Sequence, residues 1–240
     1  MKLSVFFPFY NEELNIERVV TNASEILEKI ESDYEIIVVN DGSRDKTEEI
    51  ANSLSEKNKK VRVISHHPNR GYGGALKSGF YGATGDYIFF SDGDGQFDFS
   101  QFQVFWDRRK EADLILGYRT NRMETDGWKR VLNAKLWNVL NRAMFNLRIR
   151  DIDCAFKLIN KKVIDAIPKM QSEGAMVSAE LLIKAKDAGF TFLELPVIHL
   201  VSPEKLGGST GAKPKVIIRA FKELFRFRLN YSSSQQKPKV

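Results

Sequence analysis

Short apolar runs alternate with longer stretches of helical periodicity through the first half of this chain. The runs are typical of buried strands, and the stretches between them repeat apolar residues every three or four positions, as helices do. The predicted elements are, in order, a strand at 3–9, a helix at 12–30, a strand at 35–39, a helix at 45–56, a strand at 61–65, a helix at 71–81, a strand at 86–90, a helix at 99–110 and a strand at 113–117. This alternation predicts an α/β fold with a doubly wound, mostly parallel sheet. Right-handed crossovers then bring the carboxyl ends of the strands to one edge.

The second half of the chain has a less regular pattern. The predicted elements there are a helix at 127–145, a short strand at 156–159, a helix at 178–188, a strand at 192–195 that stops before Pro196, and a helix at 214–231. The polar residues at the end are predicted to be disordered. We therefore predict one domain over residues 1–211, a basic amphipathic helix over 212–231 and a disordered tail over 232–240.

Composition narrows the class of protein. The chain has 240 residues, of which 42% are apolar and 28% charged, as expected for one large soluble domain or one domain with an appendage. Its one cysteine, Cys154, excludes an internal disulfide and fits a reducing compartment. Pro8 interrupts the N-terminal apolar run too early for a signal peptide, and no apolar stretch approaches the roughly 18 residues that span a bilayer. We expect a cytoplasmic protein.

Positive charge is concentrated at one end. The net charge is +6, but residues 205–240 alone carry +8, which leaves −2 on the first 204 residues. A basic tail on an acidic body does not indicate a nucleic-acid partner. The tail helix carries apolar and basic residues on opposite faces. It either lies in an anionic membrane interface or packs on its own domain with a solvated basic face.

Two aspartates follow the fourth predicted strand. Asp92 and Asp94 stand two positions apart, with glycines beside them. Such carboxylates can converge on one hard cation, Mg²⁺ or Mn²⁺, which also binds substrate phosphates. The alternative is a solvated turn, because aspartate and glycine are common turn residues.

Other polar segments are predicted at the same edge of the sheet. The first two strands end in residues 8–12 and 40–45, where Asp41 can accept hydrogen bonds from a base or ribose. The glycine-rich segment 69–75 opens a helix, whose N-terminus suits a phosphate, although a plain helix start is the alternative. Because ligands bind beyond the carboxyl ends of strands in such sheets, a shared site is favoured.

The order of these motifs resembles that of the family 2 glycosyltransferases with the GT-A fold, in particular the polyprenyl-phosphate glycosyltransferases that include dolichyl-phosphate mannose synthase. The matching segments are FPFYNEE at 7–13, VNDGSRDKT at 39–47, NRGYGGA at 69–75, SDGDGQ at 91–96, GYR at 117–119 and DIDCAFK at 151–157. The resemblance covers about residues 3–210. It implies a GT-A fold with a Rossmann-like sheet.

The resemblance also implies roles for the matching residues. The nucleotide-sugar pocket would be lined by Pro8, Tyr10, Glu12, Asp41, Gly71, Asp92 and Arg130. Asp92, Asp94 and Gln96 would hold the Mg²⁺ or Mn²⁺ ion. Arg119 and Arg130 would meet phosphate charge, because the guanidinium fork pairs with phosphate oxygens. A solvated helix charge is the alternative for Arg130.

The acceptor side is less well defined. Asp151 is the family-matched candidate for a base that orients or deprotonates the acceptor, with Asp153 second and a plain loop acid as the alternative. Lys157 is expected to pair with an acid or a phosphate. A solvated helix acid is the favoured interpretation of Glu180, and a structural role that of His199. The family has an arginine shortly after the position of His199, and this chain has Lys205 instead.

The motifs predict an inverting, metal-dependent glycosyltransferase. It would move a hexose, such as mannose or glucose, from a nucleotide-diphosphate sugar to a polyprenyl or dolichyl phosphate, with Asp151, Asp94 and Arg119 as the catalytic set. One alternative is a glycan or protein hydroxyl as acceptor, and another is a non-catalytic nucleotide-binding domain. We expect a peripheral location at the cytoplasmic membrane face, through the basic helix or a separate membrane-protein partner.

Overall fold

One mixed sheet organises the computed structural model, which describes residues 1–31, 33–125, 127–201 and 214–235. Its strands are β1 (Leu3–Phe9), β2 (Tyr34–Asn40), β3 (Val61–Ser65), β4 (Tyr87–Ser91), β5 (Leu114–Arg119), β6 (Phe156–Asn160) and β7 (Phe192–Val197). They lie in the order β3-β2-β1-β4-β6-β5-β7. Every pair is parallel except the two that involve β6, which runs antiparallel to β4 and to β5. The prediction of a mostly parallel sheet is confirmed.

Helices cover both faces of the sheet. They are α1 (Ile16–Ile30), α2 (Thr47–Lys57), α3 (Gly71–Gly82), α4 (Phe102–Asp107), α5 (Arg122–Thr125), α6 (Gly127–Phe145), α7 (Lys161–Ala166), α8 (Met176–Asp187) and α9 (Pro214–Gln235). Side chains alternate along each strand, so Phe6 and Phe90 pack towards α3 and α8, whereas Phe7 and Phe89 pack towards α1 and α4.

The direction of β6 places an additional loop at the carboxyl edge. Ser91, the last residue of β4, lies opposite Phe156, the first residue of β6. The residues just before β6 therefore lie where β4 and β5 end. The sequence pattern did not predict this reversal, because apolar alternation carries no information about strand direction.

Most predicted boundaries hold within a few residues, and the exceptions have physical causes. The predicted helix at 99–110 is a 3₁₀ turn at Phe99–Gln101 followed by the short α4. β7 continues through Pro196, which an edge strand tolerates because one side of its backbone needs no ladder donor. α5 and α7 are too short to show a helical period, and they were not predicted.

The basic helix α9 packs on the rest of the chain. Leu224 is fully buried, and the ring of Phe221 lies 5.9 Å from that of Trp137 in α6. Phe225 and Leu229 remain 54% and 72% exposed. The helix ends at Gln235 rather than at the predicted 231, and residues 236–240 of the predicted tail lie outside the described residues. Among the helices described, none is long and apolar enough to cross a bilayer.

Candidate donor and cation site

Polar side chains from three neighbouring strands meet at the carboxyl edge of the sheet. Asp41 follows β2, the turn containing Tyr10 follows β1, and Asp92 follows β4. The reversed strand β6 adds Asp153 to this edge. The sheet order therefore places side by side the segments from which a shared site was predicted.

Asp41 holds the glycine-rich segment against the sheet. Its side chain is buried, and Oδ1 accepts hydrogen bonds from the backbone N–H of Arg70 at 2.8 Å and from the ring Nδ1 of His66 at 2.7 Å. The other ring nitrogen of His66 lies 2.8 Å from the hydroxyl of Ser78 in α3. Asp41 thus fixes the start of α3 where a nucleotide would bind. No role was predicted for His66, which lacks metal-ligand spacing to other residues, although its position at the end of β3 was a signal.

The turn after β1 is locked to the segment after β2. The backbone N–H of Glu12 donates to the hydroxyl of Thr47 at 2.9 Å, and that of Asn11 donates to Ser43 at 3.0 Å. Tyr10 at the tip of the turn is 45% exposed, and Pro8 is half-buried. The exposed phenol ring offers a stacking surface for a base.

The first turn of α3 depends on close backbone contact. Gly71 has a φ of +76°, which favours glycine, and the N–H of Gly73 donates to the carbonyl of Glu173 at 2.9 Å. A Cβ atom on Gly73 would lie 2.5 Å from the carbonyl carbon of Glu173. This contact packs the segment between α7 and α8 against the donor site.

Asp92 and Asp94 lie close enough to repel each other. Burial and the charge of Asp94 raise the pKa of Asp92 to about 7, while a hydrogen bond from the hydroxyl of Tyr72, 3.0 Å from Oδ1, favours its charged form. Two neighbouring carboxylates whose negative charges repel are suited to a divalent cation.

The oxygen donors fit Mg²⁺ or Mn²⁺ bound together with a diphosphate. Such ions need only one or two carboxylates when phosphate oxygens and water complete their coordination. The described residues contain no cluster of three or more His, Cys, Asp or Glu side chains arranged to hold a metal by themselves. Gln96 donates its side-chain N–H to the carbonyl of Leu200 at 3.1 Å, and its predicted role as a metal ligand stays a prediction.

Arg119 and Asp151 bind each other. The guanidinium donates Nε and Nη2 to the two carboxylate oxygens at 2.8 and 2.9 Å, and Arg122 adds a third contact at 3.1 Å. Burial alone would raise the pKa of Asp151, but the hydrogen bonds and charges of the two arginines lower it below its ordinary value. Asp151 is therefore a poor proton acceptor in this arrangement, and the predicted base is better described as the partner of Arg119.

Asp153 differs from Asp151 in its exposure and in the direction of its pKa shift. Asp153 is an exposed residue, yet the protein atoms around its carboxylate partly desolvate it, and this desolvation together with the charge of Asp151 raises its pKa. Lys157 is fully buried, and its ammonium group donates to the carbonyls of Ile152 and Cys154. Lys157 was predicted to pair with an acid or a phosphate, but its hydrogen bonds go to the loop backbone. They fix the loop that carries Asp153.

A family model described as glycosyl transferase family 2 matches residues 4–167, more than half of the chain. The chain belongs to this family. Its matched region includes Asp41, Asp92, Asp94 and the loop before β6.

Curated relatives of this family 2 chain are also glycosyltransferases. The dolichyl-phosphate beta-glucosyltransferase of Saccharomyces cerevisiae is 30% identical over 253 residues, which cover 95% of this chain and 75% of the yeast protein. The glycosyltransferase AglD of Haloferax volcanii is 31% identical over 204 residues, or 82% of this chain. The match spans only 33% of AglD.

Solved structures support the GT-A fold of the family 2 chain. The glucosyl-3-phosphoglycerate synthase of Mycobacterium tuberculosis in complex with phosphoglyceric acid gives a TM-score of 0.70 at 18% identity, covering 94% of this chain and 79% of that one. The same enzyme crystallised with Mn²⁺, uridine diphosphate and glucosyl-3-phosphoglycerate gives a TM-score of 0.67 at 18% identity, with the same coverage.

The structure describes three further residues of the family 2 chain that were named from the sequence, Glu180, His199 and Arg130. Glu180 is fully buried in α8, bonds Lys184 at 2.6 Å and accepts backbone N–H groups, so the interpretation as a solvated acid was wrong. His199 is buried with its ring 4.9 Å from that of Phe97, which agrees with a structural role. Arg130 lies half-buried on α6, and Lys205 lies outside the described residues.

Proposed function

We propose that this family 2 glycosyltransferase moves a hexose, with inversion, from a nucleotide-diphosphate sugar to a polyprenyl or dolichyl phosphate, using Mg²⁺ or Mn²⁺. The observation that carries the donor half is the pair Asp92 and Asp94 beside the phosphate-facing start of α3. The acceptor half is supported by the name of the yeast relative, a dolichyl-phosphate beta-glucosyltransferase.

The donor side of the mechanism follows from the geometry. Asp92 and Asp94 would hold the divalent ion, which, when bound, neutralises the departing diphosphate as a Lewis acid. The N-terminus of α3 directs its positive dipole towards the same phosphates. Asp41 keeps that helix start in place, and Tyr10 offers its ring to the base. These groups bind and orient the donor before the sugar is transferred.

The acceptor side is assigned to the loop before β6. A phosphate acceptor is already an anion at neutral pH, so it needs little help from a base. We assign Asp151 to the positioning of Arg119, whose charge draws a phosphate towards the cleft. We assign the role of acceptor-side carboxylate, which was predicted for Asp151, to Asp153. This residue is exposed, and its pKa is raised. A hydroxyl acceptor would depend much more strongly on Asp153 than a phosphate would.

A lipid acceptor requires contact with a membrane, and α6 offers a surface for it. Four exposed apolar side chains recur on one face of this helix and form what we call the α6 stripe: Trp128, Leu132, Leu136 and Val139. Exposed Lys135 and Arg142 belong to the same helix. Apolar residues next to basic ones suit an interface of anionic lipids. We propose that this stripe, together with exposed Phe225 and Leu229 of α9, docks the enzyme at the cytoplasmic membrane face.

The docking proposal predicts a difference between two similar valines. Val139 in the α6 stripe is 60% exposed and Val104 in α4 is 54% exposed. Val139→Glu should weaken binding to vesicles of phosphatidylserine and phosphatidylcholine about tenfold, because it removes an inserted side chain and adds a repelled charge. Val104→Glu should bind like the wild type. Co-sedimentation measures both, and equal binding of the two variants would contradict the proposed surface.

A donor panel tests the proposed reaction itself. Uridine and guanosine diphosphates, each with Mn²⁺, Mg²⁺ or EDTA, are compared for the midpoint of thermal unfolding. At a hundred times its Kd, the correct nucleotide should raise the midpoint by about 5–10 °C, and only when metal is present. The matching sugar nucleotide should then release nucleoside diphosphate when dolichyl phosphate is added. Unchanged midpoints with every nucleotide would refute the donor site, and transfer to glycans alone would favour the hydroxyl-acceptor alternative.

A further inference from the structure

Tyr72 is the one residue with a side chain in the segment from Gly71 to Gly74. The flanking glycines bring the backbone close to its neighbours, and the N–H of Gly73 is fixed by the carbonyl of Glu173. These contacts fix the backbone position from which the Tyr72 side chain extends. This turn aims the phenol across the cleft towards the end of β4.

The hydroxyl of Tyr72 reaches the cleft that contains Asp92, Asp94 and Asp153, which we call the acidic cleft. It donates a hydrogen bond to Oδ1 of Asp92 at 3.0 Å, and the negative charges of Asp94 and Asp153 also act on it. A phenol has an ordinary pKa of roughly 10, so at neutral pH it is a hydrogen-bond donor rather than an anionic ligand. Its ring is 37% exposed, at the surface of the cleft rather than in the core.

We infer that Tyr72 is a positioning residue for cation binding, which holds Oδ1 of Asp92 so that the second carboxylate oxygen is presented to the ion. This inference rests on the proposed function, because it takes Asp92 as a metal ligand. Groups that hydrogen-bond to metal-binding carboxylates orient them, and their loss typically lowers metal affinity by 10- to 100-fold. The glycines around Tyr72 thus let the start of α3 pack closely against the backbone of Glu173, with the Tyr72 hydroxyl beside Asp92.

Tyr72→Phe tests the inference, because it removes only the hydroxyl. Binding of Mn²⁺ is followed through the electron paramagnetic resonance signal of the free ion, with the protein alone and with uridine or guanosine diphosphate added. We expect the variant to bind Mn²⁺ about tenfold more weakly. Its thermal midpoint in EDTA should stay close to that of the wild type, since the ring remains and the hydroxyl lies at the cleft surface.

Tyr81→Phe is the matched control. Tyr81 belongs to the same helix and is 42% exposed, but its hydroxyl accepts the N–H of Met170, away from the acidic cleft. This variant should bind Mn²⁺ like the wild type. Unchanged affinity in Tyr72→Phe would overturn the inference alone. Tighter binding would also overturn it, since the hydroxyl would then compete with the ion. If the wild type itself binds no Mn²⁺, with or without nucleotide, the proposed cation site fails.

Discussion

Asp92→Asn should make the enzyme nearly inactive and, in the absence of metal, slightly more stable. Activity is lost because the substitution removes one of the two carboxylates proposed to hold the ion at the diphosphate. Removal of such an electrostatic group costs about 100- to 1,000-fold in kcat/KM. Stability is gained because the uncharged asparagine is no longer repelled by Asp94. Asparagine keeps an oxygen that can accept the hydrogen bond of Tyr72, so the neighbouring contacts are retained.

The stability gain should depend on pH in a defined direction. The pKa of Asp92 is raised from 3.8 to about 7 by burial and by Asp94, so its charge destabilises the folded state. That penalty is absent below about pH 4, grows as the pH rises from about 4 to about 7, and stays constant above that range. Asp92 keeps some solvent contact, which reduces the effect. We expect Asp92→Asn to gain about 1 kcal/mol of stability at pH 8, or about 2–4 °C in the midpoint of thermal unfolding, and less at pH 5.

Scanning calorimetry in EDTA and steady-state release of nucleoside diphosphate measure the two effects of Asp92→Asn. Asp107→Asn is the control, because Asp107 is an exposed acid of α4 away from the cleft. It should leave both activity and the pH dependence of stability unchanged. Full activity of Asp92→Asn would contradict the assignment of the donor site.

Asp151→Asn should destabilise the protein strongly, by about 3–5 kcal/mol. Asp151 pairs with Arg119 and Arg122, whose side chains are only 7% and 17% exposed, and the substitution removes this shared negative charge from two largely buried guanidinium groups. The midpoint of thermal unfolding should fall by roughly 6–20 °C. Activity should fall in parallel, because Arg119 loses its fixed position.

Asp153→Asn separates the structural effect from a catalytic one. Asp153 is exposed and two residues away, so its substitution should leave the thermal midpoint within about 2 °C. Reduced kcat in this stable variant, with an altered pH profile, would support its acceptor-side role. If instead Asp151→Asn kept the wild-type midpoint and lost activity, Asp151 would be the base after all.

Sequence patterns predicted the sheet well because buried strands and amphipathic helices have distinct periods. The limits of β3 were predicted to the residue, and those of β1 as well. The pair Asp92 and Asp94 could be singled out because a turn at a strand end combines a fixed spacing with a known edge of the sheet. These features are local, and local sequence determines them.

Contacts between distant segments were harder to predict. Arg119 and Asp151 are 32 residues apart, and only the reversed direction of β6 brings them together. Glu180 was misread because most helix acids are solvated, yet Met176 to Ala185 are all buried in α8. The apolar residues at 181–183, which directly follow Glu180, were the available signal for a buried position. Tyr72 could not be recognised, since nothing in its sequence neighbourhood indicates that it reaches Asp92.

The hydrogen bond between Gly73 and Glu173 has a consequence for how this enzyme can diversify. Most of the proposed donor motifs lie in the first hundred residues, but the start of α3 is shaped by a segment beyond residue 167, where the family match ends. The proposed nucleotide site is therefore not a separable module. An exchange of C-terminal halves between relatives would have to preserve the backbone path around Glu173. The identity of the side chain there matters less, because the contact is made by the backbone carbonyl. Selection on one half of the enzyme thus constrains the shape of the other.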